Sequence, residues 1–306
     1  MKILLTAVGG PSGICFAKSL SEIADVELVG VSAEEDSIGK SLVDVFHIVP
    51  FASDPAYLEI VQNIIKNEKV DYVIPTVDEE MCLLSKHSED VGCRVFVSPF
   101  ETIAYTSNKG KMYTVASDYL PRRFTKELIP AFPAFAKPEV GRGGKGAFVV
   151  RDIGALDTIP DAGYVVQELL HEPEVSVDAL FDFDGNLVVA VARVRSRIDQ
   201  GVSVSGEVFR DDALQGIVSE LARRMRFVGP VNFQFMRAAD GYKLIEINAR
   251  ASGGMGITIG SGVDIPKLSY ELMNTGAIES VPQVCEGLYN NFEEVIERQR
   301  QKKTMP

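Results

Sequence analysis

The segment Tyr242-Lys243-Leu244-Ile245-Glu246-Ile247-Asn248-Ala249-Arg250 alternates polar and apolar side chains. Read as a strand, its two-residue period puts Glu246, Asn248 and Arg250 on one face and Ile245, Ile247 and Ala249 on the other. Upstream, Asn232-Phe233-Gln234-Phe235-Met236 repeats the device, and the turn Ala239-Asp240-Gly241 would pair the two strands and bring Gln234 near Glu246. Carboxylate and carboxamide oxygens are what Mg²⁺ takes, alongside phosphate and water. Gln234, Glu246 and Asn248 are thus candidate metal ligands, and Arg250, one step along the same face, is placed to neutralise a phosphoryl group. A solvated sheet face is the competing reading; the flanking FQF and LIEI runs, which call for burial, weigh against it.

Lys137 ends the apolar run Ala134-Phe135-Ala136, and a semi-buried ammonium costs free energy unless an anion sits beside it. Four residues on comes Gly141-Arg142-Gly143-Gly144-Lys145-Gly146. Its glycines permit positive φ and close backbone approach, so its amides could wrap phosphate oxygens while Arg142 and Lys145 add charge. By itself the loop reads equally as a hairpin tip with solvated charges. Gln167, Glu168, Leu169 and Leu170 end another apolar strand, and Glu174 heads the next. Such a strand offers backbone hydrogen bonds and an apolar slot to an adenine, with the Glu174 carboxylate in range of ribose hydroxyls. An ordinary strand pair with outward acids fits the same letters.

Arg193, Arg195 and Arg197 alternate along one strand, and three cations on one face invite an acidic substrate, with Ser252 shaping the same pocket, though a solvated arginine edge fits the same spacing nearly as well. Other motifs carry less. Gly9-Gly10-Pro11-Ser12-Gly13 departs from the G-x-G-x-x-G dinucleotide fingerprint, and no acid closes the second strand at Val31-Ser32-Ala33, so a tight turn explains it at least as well as a ligand loop. Tyr105 and Lys109 share the Y-x-x-x-K spacing of short-chain dehydrogenases by coincidence. The four cysteines and three histidines are scattered without metal-ligand or disulfide spacing.

The elements that must hold these residues fall into two textures. Residues 1–98 alternate short Val/Ile/Leu runs with amphipathic segments, a βαβ pattern that predicts a parallel sheet covered by helices. Pro99 to Lys111 reads as a connection. Residues 99–166 predict a small antiparallel lobe bearing the glycine flap, and 167–306 a larger lobe of paired strands with a helix at Asp212–Arg224 and a charged terminal helix over Glu293–Lys303. The fold class expected is therefore α/β followed by α+β. With 306 residues, 46% of them hydrophobic, and a net charge of −12, the chain has material for two or so domains and a field that repels nucleic acid and anionic membrane. No apolar run approaches the ~18 residues of a membrane span, and the first residues read as a strand, so a cytoplasmic setting is expected.

In order and spacing FAKP, GRGGKG, VVQELL, EVSVD, NFQF and LIEINAR resemble the ATP-grasp superfamily. Glu246-Ile247-Asn248-Ala249-Arg250-Ala251-Ser252 followed by Gly262-Val263-Asp264-Ile265-Pro266-Lys267 is similar to the large subunit of carbamoyl-phosphate synthase. The resemblance covers nearly the whole chain. It implies a pre-ATP-grasp domain over 1–98, including Ile74-Pro75-Thr76-Val77-Asp78-Glu79-Glu80, and a two-lobed ATP-grasp fold after it. It further implies ATP as the nucleotide and Mg²⁺, or Mn²⁺ in its place, as the metal. Lys137 would touch phosphates and act with Arg250 as a catalytic group. Arg142, Gly143, Gly144, Lys145 and Gly146 would close over the phosphates. Gln167, Glu168, Leu169 and Leu170 would form the adenine hinge, and Glu174 would hold ribose. Lys109, preceded by Asn108 where the family has Asp, would be a second nucleotide contact. The implied reaction joins a carboxylic acid, activated as an acyl phosphate, to an amine. Two alternatives stay open: a single synthase-like unit phosphorylating bicarbonate or carbamate, and a non-catalytic ATP-binding module. A homodimer or a separately encoded partner subunit is the assembly such a unit would use.

Overall fold

The computed structural model describes residues 1–125, 132–141, 143–160, 162–171 and 173–291. Arg142 and the expected terminal helix over Glu293–Lys303 lie outside the described residues. The chain divides into two compact units, one over Met1–Phe96 and one over Val97–Asn290.

The first unit runs β1 (Lys2–Leu5), α1 (Pro11–Leu20), β2 (Glu27–Ser32), a 3-10 turn at Ile38–Ser41, β3 (Val45–Ile48), α2 (Tyr57–Glu68), β4 (Tyr72–Ile74), α3 (Asp78–Lys86) and β5 (Arg94–Val95). Its sheet has the order β3-β2-β1-β4-β5, every pair parallel, with Leu4 opposite Val29 and Val73. The continuous apolar strands are buried because helices cover the sheet: Val61 and Ile65 of α2 and Leu84 of α3 pack against Leu4, Val29, Val31 and Val73. The chain reverses strand order between β1 and β4, where Thr76 donates its hydroxyl to the Thr6 carbonyl at 2.7 Å. Pro11 opens α1, a position whose missing N–H costs nothing. The glycine loop before it is filled by protein: a Cβ on Gly9 would lie 2.1 Å from Ser37 Oγ, and one on Gly13 2.7 Å from Val8 Cα. Gly9 lets the loop approach Ser37, which precedes the 3-10 turn, and Gly13 lets α1 close on the loop after β1, so the tight-turn reading is the one the packing supports.

The second unit opens with two helices, α4 (Phe100–Thr106) and α5 (Lys109–Ala116), where the sequence reads as a connection. Both are short, and only Thr102, Ile103 and Thr106 of α4 are buried, which leaves little helical periodicity to read. A four-stranded antiparallel sheet follows in the order β6-β9-β7-β8, from β6 (Arg123–Phe124), β7 (Ala134–Pro138), β8 (Phe148–Val150) and β9 (Tyr164–Glu168), with α6 (Ile153–Asp157) between the last two. Ala134, Ala136, Val150, Leu156 and Ile159 form its core.

The larger sheet, also antiparallel, has the order β14-β13-β10-β11-β12-β15. Its strands are β10 (Glu174–Phe181), β11 (Leu187–Asp199), β12 (Val202–Phe209), β13 (Gly229–Ala238), β14 (Gly241–Asn248) and β15 (Gly287–Asn290). Helices α7 (Asp212–Arg224), α8 (Met255–Gly260) and α9 (Ile265–Thr275) complete the unit. One sheet face is apolar: Val175, Val177, Phe233, Phe235 and Ile247 meet Leu214, Val218 and Leu221 of α7. By strand alternation the opposite face carries the polar members of the same strands, and there register aligns Glu246 with Gln234 and Ser176, and Asn248 with Asn232 and Asp178. No helix among the described residues is long and apolar enough to cross a membrane.

Candidate functional site

A cavity of about 380 Å³ lies between the two sheets of the second unit, a size typical of small-molecule pockets. From the small sheet, Phe135 and Lys137 of β7 line it together, being two residues apart and therefore on one face. Lys137 is 8% exposed, and its Nζ donates to the Ile245 carbonyl at 3.0 Å. That carbonyl is presented by a β-bulge: Gln234 pairs with Glu246, but Phe235 pairs with Leu244, leaving Ile245 as the extra residue. Ile245 consequently lines the cavity instead of joining the apolar face to which simple alternation assigns it. Burial pulls the Lys137 ammonium down to about 8; the charge on Lys109 acts in the same direction and Glu246 opposes it.

Lys109 is the first residue of α5, and Asn108 caps that helix, its side chain accepting from the Lys111 amide at 2.9 Å. Asn is among the residue types that cap helices best. Lys109 Nζ lies 3.1 Å from Glu246 Oε1 and donates to the Gly141 carbonyl at 2.8 Å, so one ammonium ties the flap to the floor. Within the flap, Gly143 and Gly144 have φ of 62° and 69°, and a Cβ at either would meet nothing within 4 Å. Backbone conformation, not crowding, calls for glycine there. Gly141, Gly143, Gly144 and Lys145 line the cavity. Gly146 instead packs on Pro138, whose Cγ would be 3.0 Å from an added Cβ.

On the opposite wall, Gln167, Leu169 and Leu170 face the cavity. Buried Gln167 accepts from the Tyr113 hydroxyl at 3.3 Å. Glu168 is committed elsewhere: its amide donates to the Arg122 carbonyl at 2.9 Å and its carboxylate accepts from the Arg122 amide at 2.8 Å. Of the four residues expected at the hinge, Gln167, Leu169 and Leu170 line the cavity and Glu168 does not. Glu174 lines the cavity with its carboxylate held by Arg195 Nη1.

Gln234 and Glu246 form part of the floor, side by side on β13 and β14. Asn248 and Arg250 continue the polar face beyond the cavity wall. Asn248 Nδ2 is 3.5 Å from Asn232 Oδ1, while Arg250 donates to the Ala251 carbonyl at 3.0 Å and lies 3.5 Å from Asn248 Oδ1. Among the described residues no three His, Cys, Asp or Glu side chains cluster to hold a metal. Glu246 with the carboxamides of Gln234 and Asn248 fits a Mg²⁺ that keeps most of its shell for phosphate and water.

The three arginines do not act as one face. Arg193 is 1% exposed, inside the protein. Its Nε donates to Asp178 Oδ2 and its Nη2 to Ser252 Oγ, both at 3.1 Å. Asp178 also accepts from Asn232 at 2.9 Å and Thr258 at 2.6 Å. Burial alone would raise the Asp178 pKa, yet the Arg193 charge and these hydrogen bonds hold it below the usual carboxylate value. Arg195 lines the cavity, and Arg197 is exposed, because register shifts on both sides of Arg197 break the alternation. An acidic substrate has no access to Arg193 or Ser252 in this packing. Sequence reasoning missed Phe135, Met236, Ile198 and Gly201, all cavity residues. Two-residue spacing from Lys137 and Gln234 carried the signal for the first two; a bulge hid the others. Burial pushes the Cys93 thiol up to about 12.

A flap-bearing antiparallel lobe set over a larger antiparallel sheet, with lysines above and a carboxylate below, defines the ATP-grasp fold, here following a parallel α/β domain. Two family models match parts of the chain, one the first unit and one the larger sheet with β9. Residues 161–294 match "ATP-grasp in the biosynthetic pathway with Ter operon", and residues 3–96 match "PylC-like, N-terminal domain". Among solved structures, the chain is similar to the biotin carboxylase domain of 2-oxoglutarate carboxylase from Hydrogenobacter thermophilus, solved with MgADP, ADP and bicarbonate. The TM-score is 0.75 at 14% identity, over 91% of this chain and 70% of that one. Biotin carboxylase from Campylobacter jejuni gives 0.75 at 17%, over 92% and 73%. N5-carboxyaminoimidazole synthetase from Staphylococcus aureus, in complex with ADP, gives 0.72 at 14%, over 95% and 82%.

Proposed function

We propose that the protein is an ATP-dependent ligase that activates a carboxylate as an acyl phosphate for attack by an amine, releasing ADP and phosphate. The observation that carries this reading is the convergence of Lys109, Lys137, the glycine flap and Glu246 on one cavity whose far wall is apolar. A triphosphate fits that distribution. The adenine takes the slot formed by Phe135, Leu169, Leu170 and Met236, the ribose meets Glu174, and the phosphates meet the two ammonium groups and the flap amides. Mg²⁺, held by Glu246 with Gln234 and Asn248, would screen the negative charge of the phosphates. Similarity to structures solved with ADP and MgADP supports the same assignment.

In the proposed reaction a carboxylate oxygen of the acid attacks the γ-phosphorus, the bond to the β-phosphate oxygen breaks, and ADP leaves. The amine nitrogen then attacks the acyl carbon, phosphate departs with the bonding pair, and the nitrogen gives up its proton to leave an amide. Lys137 and Arg250 offset the charge that builds on the transferring group, and the flap excludes water that would hydrolyse the acyl phosphate. A coupled assay of ADP release across a panel of carboxylic acids, with ammonia and primary amines as acceptors, tests the reading. Release that requires an acid, and is lost in Lys137→Ala and Glu246→Ala with folding retained, is the expected result. ATP binding without acid-dependent turnover would point to a regulatory module, and failure to bind any nucleotide would overturn the nucleotide site itself.

A further inference from the structure

Arg195 has no part in the reaction as set out, yet it is among the most constrained side chains in the cavity. Its Nη1 contacts Glu174 Oε1, its Nε donates to Ser203 Oγ at 3.0 Å, and its Nη2 donates to the Gly201 carbonyl at 2.7 Å. Those acceptors come from β10, β12 and the turn that joins β11 to β12. The turn is tight, with Gln200 at φ 46° and Gly201 at φ 84°. Gly201, Ile198, Arg195 and Glu174 all line the same cavity, and the Arg195 and Glu174 side chains are 8% and 16% exposed. The guanidinium thus joins the edge of the nucleotide pocket to a second hairpin tip, distinct from the glycine flap.

We propose that Arg195 is a positioning residue that fixes Glu174 as a ribose-selective acceptor and gives the site its preference for ribonucleotides over deoxyribonucleotides. This rests on the nucleotide reading above. A carboxylate is a pure acceptor with capacity for about four hydrogen bonds. One donor from Arg195 leaves room for the two hydroxyls of a ribose. The rigid guanidinium fork, held by Ser203 and Gly201, fixes the direction in which Glu174 presents that capacity, which a single-point ammonium cannot do. A site built to accept from a hydroxyl rejects the analogue that lacks it.

Calorimetric titration of the full chain with ATP, 2′-deoxyATP and 3′-deoxyATP in the presence of Mg²⁺ tests this. The wild-type protein is expected to prefer ATP over each deoxy analogue by roughly tenfold or more. In Arg195→Met the ATP affinity is expected to fall until the ratio lies within about twofold of unity, with the deoxy analogues little changed. Should that variant fail to fold by circular dichroism, Arg195→Lys is measured instead, with the same narrowing expected. Equal weakening of ATP and its analogues, leaving the ratio at the wild-type value, would assign Arg195 to the hairpin alone and overturn the proposal. A wild-type protein that binds ATP without preference overturns it as well. A wild-type protein that binds none of the three overturns the nucleotide reading instead, a distinguishable failure.

Discussion

Raising the pH from 7 to 9 should weaken ATP binding about tenfold, because the cation proposed to meet the phosphates loses its proton in that interval. Burial sets the Lys137 ammonium at about 8 in the nucleotide-free chain. Roughly nine-tenths of it is therefore charged at pH 7 and roughly one-tenth at pH 9. A bound triphosphate favours the charged form, so binding takes up a proton above pH 8 and the dissociation constant rises with the neutral fraction, about twofold at pH 8 and about tenfold at pH 9. Stability moves the opposite way. The folded chain holds this proton less tightly than the unfolded chain, whose lysine keeps the usual value of 10.5. The unfolded state is thus the better proton binder between about 8 and 10.5, and this group's cost to the nucleotide-free protein, about 3 kcal/mol when fully charged, is relieved as pH rises through that window. Calorimetry with ATP at pH 7, 8 and 9 reads the affinity directly, and enthalpies in two buffers of different ionisation heat read the proton uptake. Lys137→Arg, charged throughout, should show a flat profile. A flat profile in the wild type, or an equal slope in Lys137→Arg, would refute the argument.

Three further outcomes follow from the geometry. Glu246→Gln should lower Mg²⁺-dependent ADP release roughly a hundredfold and weaken Mn²⁺ binding to the ATP complex, read by electron paramagnetic resonance; unchanged Mn²⁺ binding would remove Glu246 from the metal site. In the first unit, burial raises the Glu80 carboxyl above its usual value, opposed by the neighbouring Thr6 hydroxyl and aided by the charge on Glu79. The unfolded chain gives up that proton first, so stability should fall as pH rises past the usual carboxylate range, and Glu80→Gln should flatten that dependence of melting temperature on pH. Asp178→Ala should cost about 3–5 kcal/mol in denaturant titration by stranding the buried Arg193 charge, whereas a loss under about 1 kcal/mol would mean the network is not held as described.

Sequence alone reached the sheet floor because hairpin pairing there is local: Ala239-Asp240-Gly241 joins adjacent strands, so Gln234 meets Glu246 across a connection of a few residues. It reached the parallel domain because strands buried on both faces announce themselves as unbroken Val/Ile/Leu runs. It did not reach α4, which is too short and too sparsely apolar to show a period. Nor did it separate the three arginines, whose spacing is uniform while their environments differ. Arg193 sits inside the protein because Asp178, fifteen residues away and on the neighbouring strand, supplies its counter-charge, and Arg197 emerges because the strand slips beside it. Long-range partners and irregularities of register leave no local trace in the chain.

The extra residue at Ile245 has a consequence for how this hairpin can be altered. Leu244 points into the core and Glu246 toward the floor, although an unbroken strand would turn residues two apart the same way. Removing Ile245 outright would restore a regular ladder in which the two, now adjacent, keep their present sides. What would vanish is the carbonyl that accepts from the Lys137 ammonium. A one-residue deletion should accordingly spare the core and the polar side chains of the floor while leaving that cation without its backbone berth.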